Sequence, residues 1–347
     1  MVNYSTRLSL TLYKLKRRAT RYFGTFLVTV VCVIGIAPLS VNSSAVSTSF
    51  DCQSADRLNR FGVNEPLGWP GLYPPERLEQ SLGMMESADI GWVRFNFAWK
   101  DIQPQPDILD YQHLDDVVRI ATEHHIQVLA VLMAVPTWSS TAPDSLKAER
   151  GSLSPVDKYR PQNMQDWLNY VQNVVERYDG DGKDDAPGSP RISDWEVWNE
   201  QNIALFWPPT PDVDEYTALL KATYQTIKAA DSGAKVVLGG LANAGINNDG
   251  SNYLQALYDR GAASYFDVVS IHIYAYPPHG ISPVKNITAS LRALMDTNGD
   301  QNKPLWLTEI GWSDAPNAWG APTVSQDDMA AFVSAVYTAP LPVDLIF

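Results

Sequence analysis

Two acidic residues sit far apart in the chain in similar aromatic company. Glu200 lies in Trp195-Glu196-Val197-Trp198-Asn199-Glu200-Gln201-Asn202, and Glu309 in Leu305-Trp306-Leu307-Thr308-Glu309-Ile310-Gly311-Trp312. Paired carboxylates are the equipment for opening an acetal by double displacement. One gives a proton to the leaving oxygen while the other, about 5 to 5.5 Å away across the scissile bond, attacks the anomeric carbon. The plainer use of such residues is a structural salt bridge, which does not require two of them in matched surroundings. Metal chemistry is not indicated, because the five histidines include no H-E-x-x-H pattern. No cofactor is expected.

For these carboxylates to meet, the intervening chain must bring the ends of two distant segments together. Short apolar runs at 60–64, 91–97, 127–135, 192–198, 234–241, 267–274 and 304–310 have the composition of buried parallel strands. Stretches with helical spacing alternate with them, for instance Leu114, Val117, Val118 and Ala121, then Trp167, Val171, Val174 and Tyr178, then Tyr216, Leu219, Leu220 and Ile227. Seven βα units in succession predict an α/β fold of the (β/α)8 TIM-barrel class. A dinucleotide-binding sheet is disfavoured, because the first strand runs into Asn64-Glu65-Pro66 rather than a glycine-rich turn. In such a barrel the chemistry belongs at the C-terminal ends of the strands, where Glu200 and Glu309 both fall.

Trp198-Asn199-Glu200 resembles the acid/base signature of clan A glycoside hydrolases, and Thr308-Glu309-Ile310-Gly311-Trp312 resembles their nucleophile segment. Together with VRFNFAWKDIQP on the second strand and VVSIHIYAY on the sixth, the run WEVWNEQN is most similar to glycoside hydrolase family 39 and its exopolysaccharide-associated relatives, over roughly residues 60–347. The resemblance implies a retaining glycosidase with Glu200 as general acid/base and Glu309 as nucleophile. It implies further that Asn199 bonds the sugar 2-hydroxyl, that Arg94 and Tyr274 hold Glu309, and that His272 lines the same wall. Trp99, Trp138 and Trp312 become candidate platforms for sugar rings. Arg94 has an alternative partner in Glu196, which strand alternation places on the face of Glu200. The alternative function is a carbohydrate-binding barrel without catalysis.

Charge narrows the partners. The net charge of −13 conceals six basic and no acidic groups in the first 45 residues, so the remainder carries 20 basic against 39 acidic groups. A body that acidic is a poor match for nucleic acid, whereas a neutral carbohydrate substrate suits it. The basic cluster followed by the apolar run 23–39 reads as a signal peptide or N-terminal membrane anchor over residues 1–45, with a linker at 46–58 and the barrel domain at 59–347. The protein is therefore expected to be secreted or extracytoplasmic, with a possible tether through that segment. Cys32 and Cys52 leave the domain no internal disulfide. The final LPVDLIF reads as the beginning of an eighth strand, which predicts a barrel truncated within strand 8 and open between strands one and seven.

Overall fold

The computed structural model describes residues 60–148, 155–243, 251–275, 280–315 and 322–347. The expected export segment and linker lie outside the described residues. Eight parallel strands run in sequential order: β1 Gly62–Asn64, β2 Trp92–Ala98, β3 Gln127–Met133, β4 Asp194–Asn199, β5 Lys235–Ala242, β6 Val269–His272, β7 Leu305–Glu309 and β8 Leu345–Ile346. Helices α1 Pro75–Ser87, α2 Gln112–Glu123, α3 Met164–Arg177, α4 Val213–Ala230, α5 Ser251–Asp259, α6 Ser282–Thr297 and α7 Gln326–Thr338 fill the crossovers. This is a (β/α)8 barrel. Among the described residues no helix is long and apolar enough to cross a membrane.

The expectation of an open seam is corrected by the last residues of the chain. β8 pairs with β7, and a parallel bridge joins Ile346 to Phe61 beside β1, with the Ile346 amide donating to the Arg60 carbonyl at 3.0 Å. Arg60 Nη2 also donates to the Val343 carbonyl at 3.0 Å. Two residues of strand suffice because each end of this short segment has a backbone partner. The barrel is thereby nearly closed.

Alternation divides the strands between two cores. The outward residues Val93, Phe95, Phe97, Trp195 and Val197 pack with the apolar stripes of the helices. The inward residues Trp92, Leu129, Val237, Val268, Trp306, Leu345 and Phe347 fill the barrel at its N-terminal end. Helix starts are fixed locally: Asn163, Asp212 and Ser325 accept backbone N–H groups at the beginnings of α3, α4 and α7, satisfying donors that have no partner within the helix. Trp167 on α3 donates its indole N–H to Thr223 on α4 at 2.8 Å, clamping these helices behind β4.

Candidate active site

At the C-terminal mouth the inward side chains change from apolar to polar. One ligand atom each from Glu200, His272 and Glu309 lie within 4.8 Å of one another, at the ends of β4, β6 and β7. Regular alternation does not bring Asn199 to the mouth beside Glu200, since adjacent residues would face opposite ways. Trp198 takes a left-handed conformation, φ 75°, and Glu200 another at φ 48°. Trp198 is thus turned outward, its indole donating to the Phe206 carbonyl at 2.7 Å and packing on Trp167 and Trp207. Asn199 and Glu200 are left together at the mouth. On β7 the register against β6 steps from Ile271↔Leu307 to His272↔Glu309, so Thr308 is an extra residue, and this bulge brings Glu309 inward.

Arg94 is the hub. Its Nε donates to Glu196 Oε2 at 2.6 Å, Nη1 to Glu309 Oε1 at 2.7 Å and more weakly to Asn64 Oδ1 at 3.3 Å, and Nη2 to Asn199 Oδ1 at 2.8 Å. Both partners weighed for Arg94, Glu309 and Glu196, are therefore real. Burial by itself disfavours the guanidinium charge, but the charges of Glu196 and Glu309 more than offset it and raise the pKa above its ordinary value. Because Arg94 occupies Asn199 Oδ1, the amide N–H groups are what Asn199 retains for a ligand.

Glu309 has two further neighbours. The Tyr274 hydroxyl donates to its Oε2 at 2.6 Å, and His272 Nδ1 is 3.6 Å from Oε1. Burial raises its pKa, but His272, Arg94 and the Tyr274 hydrogen bond together outweigh that and hold the carboxyl below its ordinary value. Tyr274 as a residue is 43 % exposed, yet burial around its hydroxyl and then the charge of Glu309 keep the phenol well above its ordinary range. His272 is fully buried, with Nδ1 2.9 Å from Glu200 Oε1 and, among the described residues, no hydrogen-bond partner for Nε2. We assign a proton to Nδ1, pointing at Glu200, because the carboxyl oxygen it faces at 2.9 Å is an acceptor.

The tryptophans divide. Trp99 is fully buried, stacked on Tyr170 and edge-on to Trp138 and Trp167, so the expected sugar platform is corrected: no face is free. Trp312 is 8 % exposed, stacked on Phe332, with its N–H given to the Ala275 carbonyl at 2.5 Å; it packs rather than presents a face. Trp138 is half-buried and tied by its N–H to the Gln103 carbonyl at 3.0 Å. Two contributors were not singled out as site residues from sequence. Asn64 reaches Arg94 from β1, and Ser270 donates to Glu196 Oε1 at 3.1 Å from β6. A serine at an inward position of an otherwise apolar strand was the available signal for the second.

Comparison with known proteins agrees with this architecture. A family described as "Beta-galactosidase" matches residues 69–235, and one described as "Glycosyl hydrolase catalytic core" matches residues 213–339. Beta-galactosidase LacZ of Heyndrickxia coagulans is 27% identical over 153 residues, covering 40% of this chain and 22% of that protein. Among solved structures, a family 39 glycoside hydrolase of Bacteroides cellulosilyticus WH2 superimposes with a TM-score of 0.59 at 19% identity, over 84% of this chain and 56% of that one. A monomeric beta-xylosidase of Caulobacter crescentus CB15 gives 0.62 at 17% identity, over 84% and 60%. The chain thus spans about a fifth of the curated relative and under two thirds of either solved structure. The matched families and the neighbours are glycoside hydrolases, and the structural likeness shows that the fold is theirs.

Proposed function

We propose that the chain is a retaining glycoside hydrolase, with Glu309 as nucleophile and Glu200 as general acid/base. The observation that carries this is the convergence of the two carboxylates and His272 within 4.8 Å. One oxygen of each carboxyl that close favours the short separation of a retaining pair over the about 6.5 to 9.5 Å that an inverting pair leaves for a water.

In the first step the glycosidic C–O bond breaks as Glu309 forms an ester to the anomeric carbon. Glu200 transfers its proton to the departing oxygen. Since His272 Nδ1–H points at Glu200 Oε1, the transferable proton sits on Oε2. Asn199 donates to the hydroxyl beside the reacting carbon, a contact that strengthens as the ring becomes oxocarbenium-like. In the second step water attacks the same carbon, Glu200 takes its proton and Glu309 is released. Arg94 and Tyr274 keep Glu309 ionised and oriented before and after.

The substrate is proposed to be an extracellular or cell-surface oligo- or polysaccharide, reached by export through the basic and apolar segment at residues 1–45. N-terminal sequencing of protein from the medium and the membrane fraction tests the export; an intact Met1 on soluble cytosolic protein would exclude it. Catalysis is tested with aryl β-galactosides, β-xylosides and β-glucosides, following product anomers by NMR. Retained configuration is expected. Glu309→Ala should be inactive and partly rescued by azide, giving an inverted glycosyl azide, whereas Glu200→Ala with azide should give the retained one. The opposite pattern would reverse the two roles, and binding of glycans without turnover by any form would leave a binding barrel.

A further inference from the structure

We infer that Gly239 and Gly240 on β5 are positioning residues for Glu200, one admitting the kinked backbone that presents it and the other the imidazole that holds it. The inference rests on Glu200 being the acid/base of the proposed reaction.

Two adjacent glycines inside a buried strand call for a cause, because each weakens a strand by roughly 0.5–1 kcal/mol relative to alanine. Backbone conformation is not the cause, since neither has a positive φ. Space is. A Cβ on Gly240 would stand 2.5 and 2.7 Å from His272 Cδ2 and Cε1, and closer still to Nε2. The ring is fully buried, and its backbone carbonyl is held by the Asn243 amide at 3.1 Å. To make room it must rotate, which breaks the Nδ1 contact with Glu200. Gly240 also holds β4 through its backbone: its carbonyl accepts from the Glu200 amide at 2.9 Å, and its N–H donates to Glu196 Oε1 at 2.7 Å.

Gly239 faces the other half of the device. A Cβ there would stand 2.9 Å from the Trp198 carbonyl, 2.5 Å from Gln201 Oε1 and closer still to the Val197 carbonyl. Those carbonyls flank the left-handed turn at Trp198 that sets Asn199 and Glu200 side by side. Its own backbone completes the mount, with the amide donating to the Tyr216 hydroxyl at 3.1 Å and the carbonyl accepting from Gln201 Nε2 at 2.8 Å. One glycine thus yields to backbone and the other to a side chain, and only the second obstruction can be relieved by trimming a neighbour.

The test is a leaving-group series of aryl glycosides with wild type, Gly240→Ala, His272→Ala and the double variant. Gly240→Ala should lose on the order of 10- to 100-fold in kcat/KM on poor leaving groups, part of the roughly 10²- to 10⁴-fold that general acid catalysis supplies, and far less on dinitrophenyl glycosides. Adding Gly240→Ala to His272→Ala should cost nothing further, because the obstructed ring is gone. If Gly240→Ala alone does not fold, the double variant should fold and match His272→Ala. Gly239→Ala should show the same leaving-group pattern without relief by His272→Ala. Equal loss on every leaving group, or additive losses in the double variant, would overturn the inference. Crystal structures of wild type and Gly240→Ala decide the same point without turnover: a His272 ring displaced from Glu200 supports it and an unmoved ring refutes it. Inactivity of wild type on all glycosides would instead count against the proposed function.

Discussion

Glu309 has a donor on each oxygen before any ligand arrives, Arg94 Nη1 on one and the Tyr274 hydroxyl on the other. Its depressed pKa has a definite sign in pH terms. The stabilisation it brings is present above the ordinary carboxylate range and is lost as pH falls through the folded value. The nucleophile accordingly stays ionised to lower pH than a free glutamate, and the acid limb of kcat/KM should lie below that range. In Arg94→Met the burial that opposes ionisation loses one of its cationic counterweights, so the limb should move toward neutral pH. The same change strands Glu196, which is fully buried, and should destabilise the fold by about 3–5 kcal/mol. A pH–rate profile together with urea unfolding separates the two effects; an unmoved acid limb would show that Arg94 does not tune Glu309.

At the level of elements, the residue after α2 acts as a clasp. His124 Nδ1 lies 2.8 Å from Glu86 and Nε2 3.0 Å from Glu79, both on α1. The Glu86 hydrogen bond, opposed by partial burial and joined by Glu79, raises its pKa above 6.5. A raised histidine contributes fully below the unfolded value and ceases to contribute as pH rises through the folded one. Its partners are largely exposed, so the effect should be about 0.2–1 kcal/mol and sensitive to salt. Wild type should therefore lose more melting temperature than His124→Ala between pH 5.5 and 8.5. The clasp is invisible in the sequence because Glu79 and Glu86 lie some 40 residues earlier on another helix. The strands were more legible. All eight stand within two residues of their expected bounds or within the expected run, since apolar composition and length mark buried parallel strands directly. Parity was not legible: strict alternation would separate Asn199 from Glu200 and turn Glu309 outward, and only the turn at Trp198 and the bulge at Thr308 bring them together. The platform expected at Trp99 failed for a related reason. Trp99 follows an inward-ending strand, but it opens a helical turn, Trp99–Ile102, that folds its ring under Trp138.

For the molecule as a whole, the barrel depends on its last strand. Phe347 is almost wholly buried, edge-on to Trp92, with its amide bonded to the Leu307 carbonyl at 2.8 Å and its ring filling the space beside Gly62. Phe347→Ala should cost about 3–5 kcal/mol by opening a cavity at the barrel floor, with kcat/KM at low temperature nearly unchanged because the mouth lies at the other end. Equal denaturation midpoints for variant and wild type would show that the floor repacks around the loss. The seam has a further consequence in time rather than in space. The Arg60 to Val343 contact spans 283 residues, so β1 has no partner on its outer edge until residue 343 and the strand after it have been synthesised. At about 5–20 residues per second that interval is roughly 15–60 s on the ribosome, during which the first strand made must wait for the last. A nascent chain stalled before residue 343 would carry the exposed edge that the finished barrel conceals, and it is during translation that this fold is most open to mispairing.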